Sequence, residues 1–247
     1  NLRFSYARAI NRPSFFEILP YSIINEDYKE KGNPELKHTV ADNIDLRYEF
    51  FPRSSEQLMV GLFYKNIKDP IEYGLLNEGQ DTYYKPMNFG MANNWGLEVD
   101  ILKYFNWLGI KANYTYTYSK ITTEKRVMQG SEVTTTTQSR PLFGQAAHVA
   151  NISFLLKDSK HGWEGQLAMG YTGKRLSDIS NWADNDIWEK GYTQLDASIE
   201  KTLPRGFCLF LKASNLLNIP VLRYVHQSER TANVDSERDN SLSLIHI

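Results

Sequence analysis

The chain has 247 residues, of which 13% are aromatic, and its 28 lysines and arginines are balanced by 29 aspartates and glutamates. A net charge of −1 gives no basic footprint for nucleic acid, and a chain with 15 tyrosines and strand-like patterning throughout disfavours an α/β enzyme. The single cysteine, Cys208, excludes an internal disulfide.

Alternation of apolar and polar residues runs along most of the chain. It is clearest at 45–50, 110–119 and 195–200, where a period of two sends successive side chains to opposite faces of a strand. Further predicted strands lie at 57–67, 82–104, 145–156, 162–175 and 206–215. About ten strands result, and most are long enough to cross a membrane, for which about 9–11 residues suffice.

The connections between these strands alternate in length. Short turns are predicted at 51–55, 105–107, 157–161 and 203–205. Long polar loops are predicted at 11–37, 69–81, 122–141 and 176–190. Short periplasmic turns and long extracellular loops are typical of an outer-membrane barrel. The sequence therefore predicts an all-β fold, an antiparallel transmembrane β-barrel of which about ten strands of a larger barrel are present.

Aromatic and charged residues fit opposite faces of such a wall. Charges on one face of a strand indicate an aqueous lumen, because a basic group facing lipid at mid-membrane costs about 2–4 kcal/mol. Aromatic girdles at the two membrane interfaces are predicted to use Trp107, Tyr114, Tyr116, Trp163, Tyr171 and Trp182. The alternative is that these aromatics pack the core of a soluble β-sandwich.

The segment 181–188 is the most suggestive candidate binding loop. Its residues Trp182, Asp184, Asp186 and Trp188 combine indole faces, which suit sugars or cations, with carboxylates that suit a hard cation such as calcium. The alternative is a solvated loop whose aromatics pack on neighbouring loops. Further candidate substrate-binding residues are Tyr83, Tyr84, Asn88 and Arg140.

No other segment carries a recognisable site. The threonine run at Thr134–Thr137 is predicted to be a flexible loop. The five histidines lie far apart, so no metal site is predicted, and no nucleophile elbow or phosphate loop is present. The sequence therefore predicts no catalytic residue, no metal and no cofactor.

Six short blocks punctuate the predicted strands. Pro13 and Pro34 mark strand ends because proline cannot donate to a β ladder, Pro70 stops a strand, and Gly96 permits a bend or a close backbone approach. The blocks are 6–15 (YARAINRPSF), 32–37 (GNPELK), 63–71 (FYKNIKDPI), 94–99 (NWGLEV), 140–145 (RPLFGQ) and 215–218 (NLLN). In this order, over residues 1 to about 225, they resemble the C-terminal barrel part of TonB-dependent outer-membrane receptors, especially the Bacteroidetes-type members.

The resemblance implies a barrel of about 22 strands with a plugged lumen, in the outer membrane of a Gram-negative bacterium. It also implies energy-coupled uptake of a scarce nutrient such as an iron chelate, cobalamin or an oligosaccharide. The expected partners are outer-membrane lipid, an inner-membrane energising complex reached through a missing N-terminal part, a small-molecule or glycan ligand, and a surface lipoprotein. No nucleic acid is expected.

The ends of the chain give expectations about its boundaries. We expect residues 1–241 to be the C-terminal part of the barrel, with signal peptide and plug domain absent, and 242–247 to be a translated sequencing adaptor. Three alternatives to an importer stay open: a passive pore or structural barrel, an outer-membrane enzyme, and a soluble carbohydrate-binding β-domain.

Overall fold

The computed structural model describes residues 1–24, 29–78, 81–225 and 240–245, and these form two β-sheets. A 3₁₀ turn lies at Pro204–Gly206. The helix and strands, in chain order, are β1 (Leu2–Asn11), α1 (Phe15–Ile18), β2 (Ser22–Ile24), β3 (Lys29–Lys31), β4 (Thr39–Phe50), β5 (Gln57–Lys68), β6 (Ile71–Glu78), β7 (Asp81–Asn88), β8 (Met91–Phe105), β9 (Leu108–Gln129), β10 (Glu132–Arg140), β11 (His148–Asp158), β12 (Trp163–Thr172), β13 (Arg175–Ser180), β14 (Ile187–Glu189), β15 (Tyr192–Thr202), β16 (Cys208–Ala213), β17 (Val221–Val225) and β18 (Asn240–Ile245).

The first sheet has ten strands and is called the wall. Its order is β1-β4-β5-β8-β9-β11-β12-β15-β16, and β10 pairs with the outer half of β9. Every neighbouring pair is antiparallel. This is the partial antiparallel barrel that the sequence predicted, with short turns at one end and long connections at the other.

Register places the apolar side chains on one face of the wall in level rows. One row crosses five strands through Tyr6, Ile44, Tyr64, Trp95 and Tyr118. The lowest apolar row, nearest the short turns, holds Phe105, Leu108, Leu156, Gly165 and Ile199. Along β8 the two rows lie ten residues apart, about 33 Å of strand, or about 25 Å across a membrane at a tilt near 40°. We call the surface between these rows the apolar band.

The apolar band is exposed in the way a lipid-facing surface is. Leu62, Phe154 and Leu167 are 53%, 42% and 44% exposed. A continuous apolar surface of this size is unusual on a soluble protein and marks contact with lipid or a partner.

The opposite face of the wall is polar, as the predicted lumen required. Its polar side chains pair with one another across the strands. The pairs are Arg3 with Glu49 at 2.9 Å, Gln57 with Asp100 at 2.5 Å, Arg47 with Glu98 at 3.9 Å and Asn151 with Asn113 at 2.9 Å.

The second sheet, called the loop sheet, is built from the long connections. Its order is β18-β17-β14-β13-β6-β7-β3-β2, with short parallel pairings between β13 and β6 and between β3 and β7. The buried apolar side chains of the described residues lie beyond the apolar band: Ala92, Ile121, Ala146, Leu176, Ile179, Val221 and Tyr224. The hydrophobic core therefore belongs to the loop sheet and the wall ends it packs against.

The interior of the long connections differs from the prediction. The predicted strand 82–104 is two strands, β7 and β8, separated at Gly90, which has φ 52°. The predicted loop 122–141 is instead the hairpin of β9 and β10, and Thr134–Thr137 pair with residues 124–127 of β9, so the flexible-loop prediction is wrong. Threonine is β-branched and favours a strand when a template strand lies beside it.

Trp182 lies in the β13–β14 connection beside Arg126, eight residues beyond the girdle residue Tyr118 on β9, so its prediction as a girdle residue is wrong.

Among the described residues, no helix has the length and apolar character needed to traverse a membrane.

Candidate functional site at the loop-sheet end

A buried ion pair joins the loop sheet to β9. Lys125 and Asp186 are 1% and 5% exposed at their side chains, and Lys125 Nζ lies 2.5 Å from Asp186 Oδ1. The same ammonium donates to the Ser180 carbonyl oxygen, and Asp186 Oδ1 accepts from the Ser180 backbone N–H at 2.8 Å. The loop between β13 and β14 is therefore closed on itself, and this ion pair is one of its contacts with the wall.

Burial and neighbouring charge act in opposite directions on Lys125. Burial beyond the apolar band lowers the pKa of its ammonium, because desolvation disfavours the charged form. The carboxylates of Asp186 and Asp184 oppose this shift, while the nearby guanidinium of Arg140 adds to it. The cluster thus gathers two predicted carboxylates and the predicted arginine around a lysine that sequence reasoning missed.

A second buried ion pair joins the end of β10 to β6. Arg140 Nη2 donates to Glu72 Oε2 at 2.8 Å, with side chains only 2% and 6% exposed. Glu72 Oε1 accepts from the Phe143 backbone N–H at 2.7 Å, and the guanidinium lies 5.2 Å from the centre of the Phe89 ring. We call the two pairs, Lys125–Asp186 and Arg140–Glu72, the seam.

The remaining residues of the segment 181–188 lie close to the seam. Asp184 has φ 53° and accepts a hydrogen bond from Gln138 Nε2 of β10 at 3.0 Å. The backbone of Trp182 bridges to Arg126, and its N–H donates to Ser180 Oγ at 3.1 Å. Trp188 lies on β14, where Lys174 Nζ is 5.7 Å from the centre of its ring.

The three candidates on β7 lie on another part of the loop sheet. Tyr83 donates to Asp81 Oδ2 at 3.2 Å, and Lys31 Nζ lies 4.9 Å from the centre of its ring. Tyr84 stacks on Tyr73, with ring centroids 5.1 Å apart and planes inclined by 23°. The Asn88 side chain makes hydrogen bonds with main-chain atoms of Lys37 and Asp69, which fixes the two connections together.

A small aromatic cavity adjoins Tyr84 and was not predicted. It measures about 50 Å³ and is lined by Phe16, Glu17, Tyr21, Glu30, Lys31, Gly32, Tyr73, Tyr84 and Pro86. Burial, reinforced by the Glu17 carboxylate, raises the pKa of Tyr73 to about 12. Its residues come from α1, β3, β6 and β7 and their flanks, so no single stretch of sequence could have indicated it. Stacked phenols beside carboxylates suit a sugar ring or a cation.

Residues 1–216 match the family described as TonB dependent receptor-like, beta-barrel. The chain belongs to this family of TonB-dependent receptors. Membership of the Bacteroidetes-type group stays a prediction. No curated protein matches the sequence.

Solved structures of TonB-dependent receptors share the fold of the chain. The siderophore receptor PirA from Acinetobacter baumannii is 14% identical with a TM-score of 0.60, and the match covers 97% of this chain and 37% of that one. The ferric enterobactin receptor PfeA from Pseudomonas aeruginosa, as a mutant, is 17% identical with a TM-score of 0.58, covering 89% and 33%. The copper transporter OprC is 14% identical with a TM-score of 0.63, covering 89% and 31%. The chain thus spans about a third of each of these proteins.

Family membership assigns the two ends of the wall to the two sides of the outer membrane. The short turns are periplasmic, and the long connections that build the loop sheet are extracellular, in an outer-membrane barrel. Family and structural neighbours are receptors and transporters. Within the described residues, no group of three or more histidines, cysteines, aspartates or glutamates could hold a metal ion.

Proposed function

We propose that this chain forms wall and extracellular loops of a receptor for energy-coupled uptake of a scarce nutrient across the outer membrane. The observation that carries the proposal is the position of the loop sheet. It packs against the lumen-facing side of β9, where Ile121, Thr123 and Lys125 are 1%, 7% and 2% exposed. A passive pore needs an open mouth, whereas here the extracellular connections fold inward above the band.

The loop sheet also supplies the groups that would recognise a nutrient. Tyr83, Tyr84 and Trp188 present aromatic rings, and Tyr84 adjoins the aromatic cavity. Asp186 and Arg140 are engaged in the seam, so their role in binding is to position the loops. Trp182, Asp184 and Asn88 act in the same way through their backbone and loop contacts. The nutrient belongs to the class of iron chelates, cobalamin or oligosaccharides.

The partners follow from the same arrangement. The apolar band contacts outer-membrane lipid, and an inner-membrane complex supplies energy through a part of the protein outside this chain. A surface lipoprotein that closes over the loop sheet is a further partner. The extracellular side of the loop sheet is where it would dock.

The test uses the protein encoded by the complete gene, expressed in the outer membrane of a receptor-deficient host. Uptake is measured with a radioiron siderophore, labelled cobalamin and a labelled oligosaccharide, each with and without a protonophore. We expect uptake of one of these probes, abolished by the protonophore. Uptake that persists without energy, together with steady conductance in planar bilayers, would instead establish a passive pore.

A matched pair of variants connects uptake to the loop sheet. Tyr84→Ala removes a ring that lines the aromatic cavity, and Tyr118→Ala removes a ring of the girdle, 45% exposed on the lipid face. We expect Tyr84→Ala to reduce uptake at low probe concentration by about tenfold, and Tyr118→Ala to leave it unchanged. Equal losses in both variants would contradict a binding role for Tyr84.

A further inference from the structure

A groove opens on the lipid-facing side of the wall at its periplasmic edge. It measures about 400 Å³ and is lined by Trp107, Leu156, Asp158, Trp163 and Ile199. Register explains the groove, because Leu156, Gly165 and Ile199 lie side by side on β11, β12 and β15. Gly165 has no side chain, so the middle strand leaves a channel between its two apolar neighbours.

Charged groups border the groove on the row below Gly165. Asp158, Trp163 and Lys201 are in register on the three strands, so the acid and the ammonium flank the indole on the same face. Neighbouring strands lie about 4.8 Å apart, which separates the two charged residues by about 10 Å. We call Asp158, His161 and Lys201 the headgroup rim.

The headgroup rim is fixed by its own contacts. Lys201 Nζ lies 4.6 Å from the centre of the Trp163 ring and donates to the His161 carbonyl oxygen at 2.5 Å. Asp158 Oδ2 lies 2.7 Å from His161 Nδ1, and the backbone N–H of His161 donates to Asp158 Oδ1 at 3.2 Å. These hydrogen bonds hold the pKa of Asp158 below its usual range, so the carboxylate is charged at neutral pH.

The two charges at the rim point to one class of ligand. An ammonium that has used one of its three N–H groups can donate the others to a phosphate. The carboxylate beside it suits a primary ammonium, and the channel over Gly165 suits an acyl chain. We propose that the groove binds one phospholipid with a phosphoethanolamine headgroup, its phosphate on Lys201 and its ammonium on Asp158. This inference is independent of whether the receptor imports a nutrient.

The test is native mass spectrometry of the protein from the complete gene, delipidated and titrated separately with phosphatidylethanolamine and with phosphatidylglycerol. Phosphatidylglycerol has the phosphate but lacks the ammonium. We expect one phosphatidylethanolamine to bind at least about tenfold more tightly, because its ammonium makes a charge-assisted hydrogen bond that phosphatidylglycerol cannot make. Equal affinity for both lipids would overturn the proposal and identify ordinary annular lipid.

Two charge variants and a matched control sharpen the test. Lys201→Gln should weaken phosphatidylethanolamine binding about tenfold, and Asp158→Asn should abolish the preference over phosphatidylglycerol. Lys157→Gln removes a lysine beside Asp158 that is 62% exposed on the lumen face, and it should change neither lipid. Equal effects of Lys201→Gln and Lys157→Gln would contradict the assignment.

The channel has its own variant. A Cβ on Gly165 would lie 3.3 Å from the Ser198 carbonyl oxygen and 3.6 Å from Leu156 Cβ, a tight contact that fills the channel floor. Gly165→Ala should therefore weaken both lipids severalfold. Unchanged binding of both lipids in Gly165→Ala would show that the acyl chain lies elsewhere. Heat-modifiable migration of every variant confirms that the barrel has formed.

Discussion

The wall and the loop sheet are both made of strands, yet different forces order them. The wall has hydrogen-bonded polar pairs on one face and an exposed apolar band on the other, so lipid completes its packing. The loop sheet holds buried apolar residues such as Leu176 and Ile179, and two buried ion pairs join it to the wall. The loop sheet is therefore stabilised like a small soluble domain, although it belongs to the same chain as the membrane-spanning wall.

Because different forces order the two sheets, mutations in them should have different effects. A change in the seam should loosen the loop sheet and leave the wall folded, because the wall is held by its own ladder of backbone hydrogen bonds and by lipid. A change in the apolar band should impair the wall itself.

Breaking the Arg140–Glu72 pair should have the largest effect. Glu72→Leu leaves the guanidinium of Arg140 buried without its charge partner, which should destabilise the loop sheet by about 3–5 kcal/mol. Hydrogen exchange should show faster opening of β6 and β7, while heat-modifiable migration of the barrel stays unchanged.

Two further variants are the controls. Glu72→Leu combined with Arg140→Met removes both charges and should restore most of the protection, because a buried pair replaced by apolar groups is often neutral. Glu124→Gln, on the exposed face of β9, should have no effect. Loss of the whole barrel in Glu72→Leu would show that the loop sheet and the wall unfold as one unit.

A charge in the middle of the apolar band should have the next largest effect. Leu167 is 44% exposed on the lipid face of β12, midway between Trp163 and Tyr171. Leu167→Arg should destabilise the barrel by about 2–4 kcal/mol, measured as a lower denaturant midpoint in lipid. Gln166→Arg places the same charge one residue away on the polar face and should cost much less. Similar losses of stability in the two variants would mean that both faces of the wall contact lipid.

The smallest effect concerns the pH dependence of the loop sheet. Burial raises the pKa of Asp178 above its ordinary value, although Ser177 and Arg223 oppose the shift. A raised carboxyl pKa means that the folded state holds the proton more tightly, so stability from this group is present at low pH and is lost as pH rises through the folded pKa. Asp178→Asn should therefore gain stability relative to the parent from pH 4 to pH 7, by about 1 kcal/mol or less. Hydrogen exchange of β13 in the two proteins measures this difference in stability. A difference that is the same at every pH would contradict the prediction.

The wall could be predicted because its strands alternate strictly between lipid and lumen. At Tyr114, Tyr116 and Tyr118 the period of two survives into the structure. The strands of the loop sheet were missed because packing within this sheet gives no regular alternation of apolar and polar residues. Leu176, Ile179 and Ser180 are all buried on β13. Their short length, and parallel pairings of only two residues, leave little signal in the sequence.

The candidate site was predictable only in part. Indoles and carboxylates in the segment 181–188 drew attention to the right region, and the structure brings Asp184, Asp186 and Arg140 together. Their contacts with Lys125 and Glu72 span 61 and 68 residues of chain, which no local pattern encodes. Whether any of these residues binds a nutrient stays a prediction.

The length of β9 makes it part of both regions of the receptor. The strand runs for 22 residues from Leu108 to Gln129, about 73 Å at 3.3 Å per residue, and about half of it extends beyond the apolar band. Between Gly109 and Gly130 it contains neither glycine nor proline, and partner strands bond along it on both sides of the membrane boundary. One uninterrupted strand therefore belongs both to the membrane-spanning wall and to the end on which the loop sheet packs, so the two parts of the receptor share a continuous hydrogen-bonded ladder.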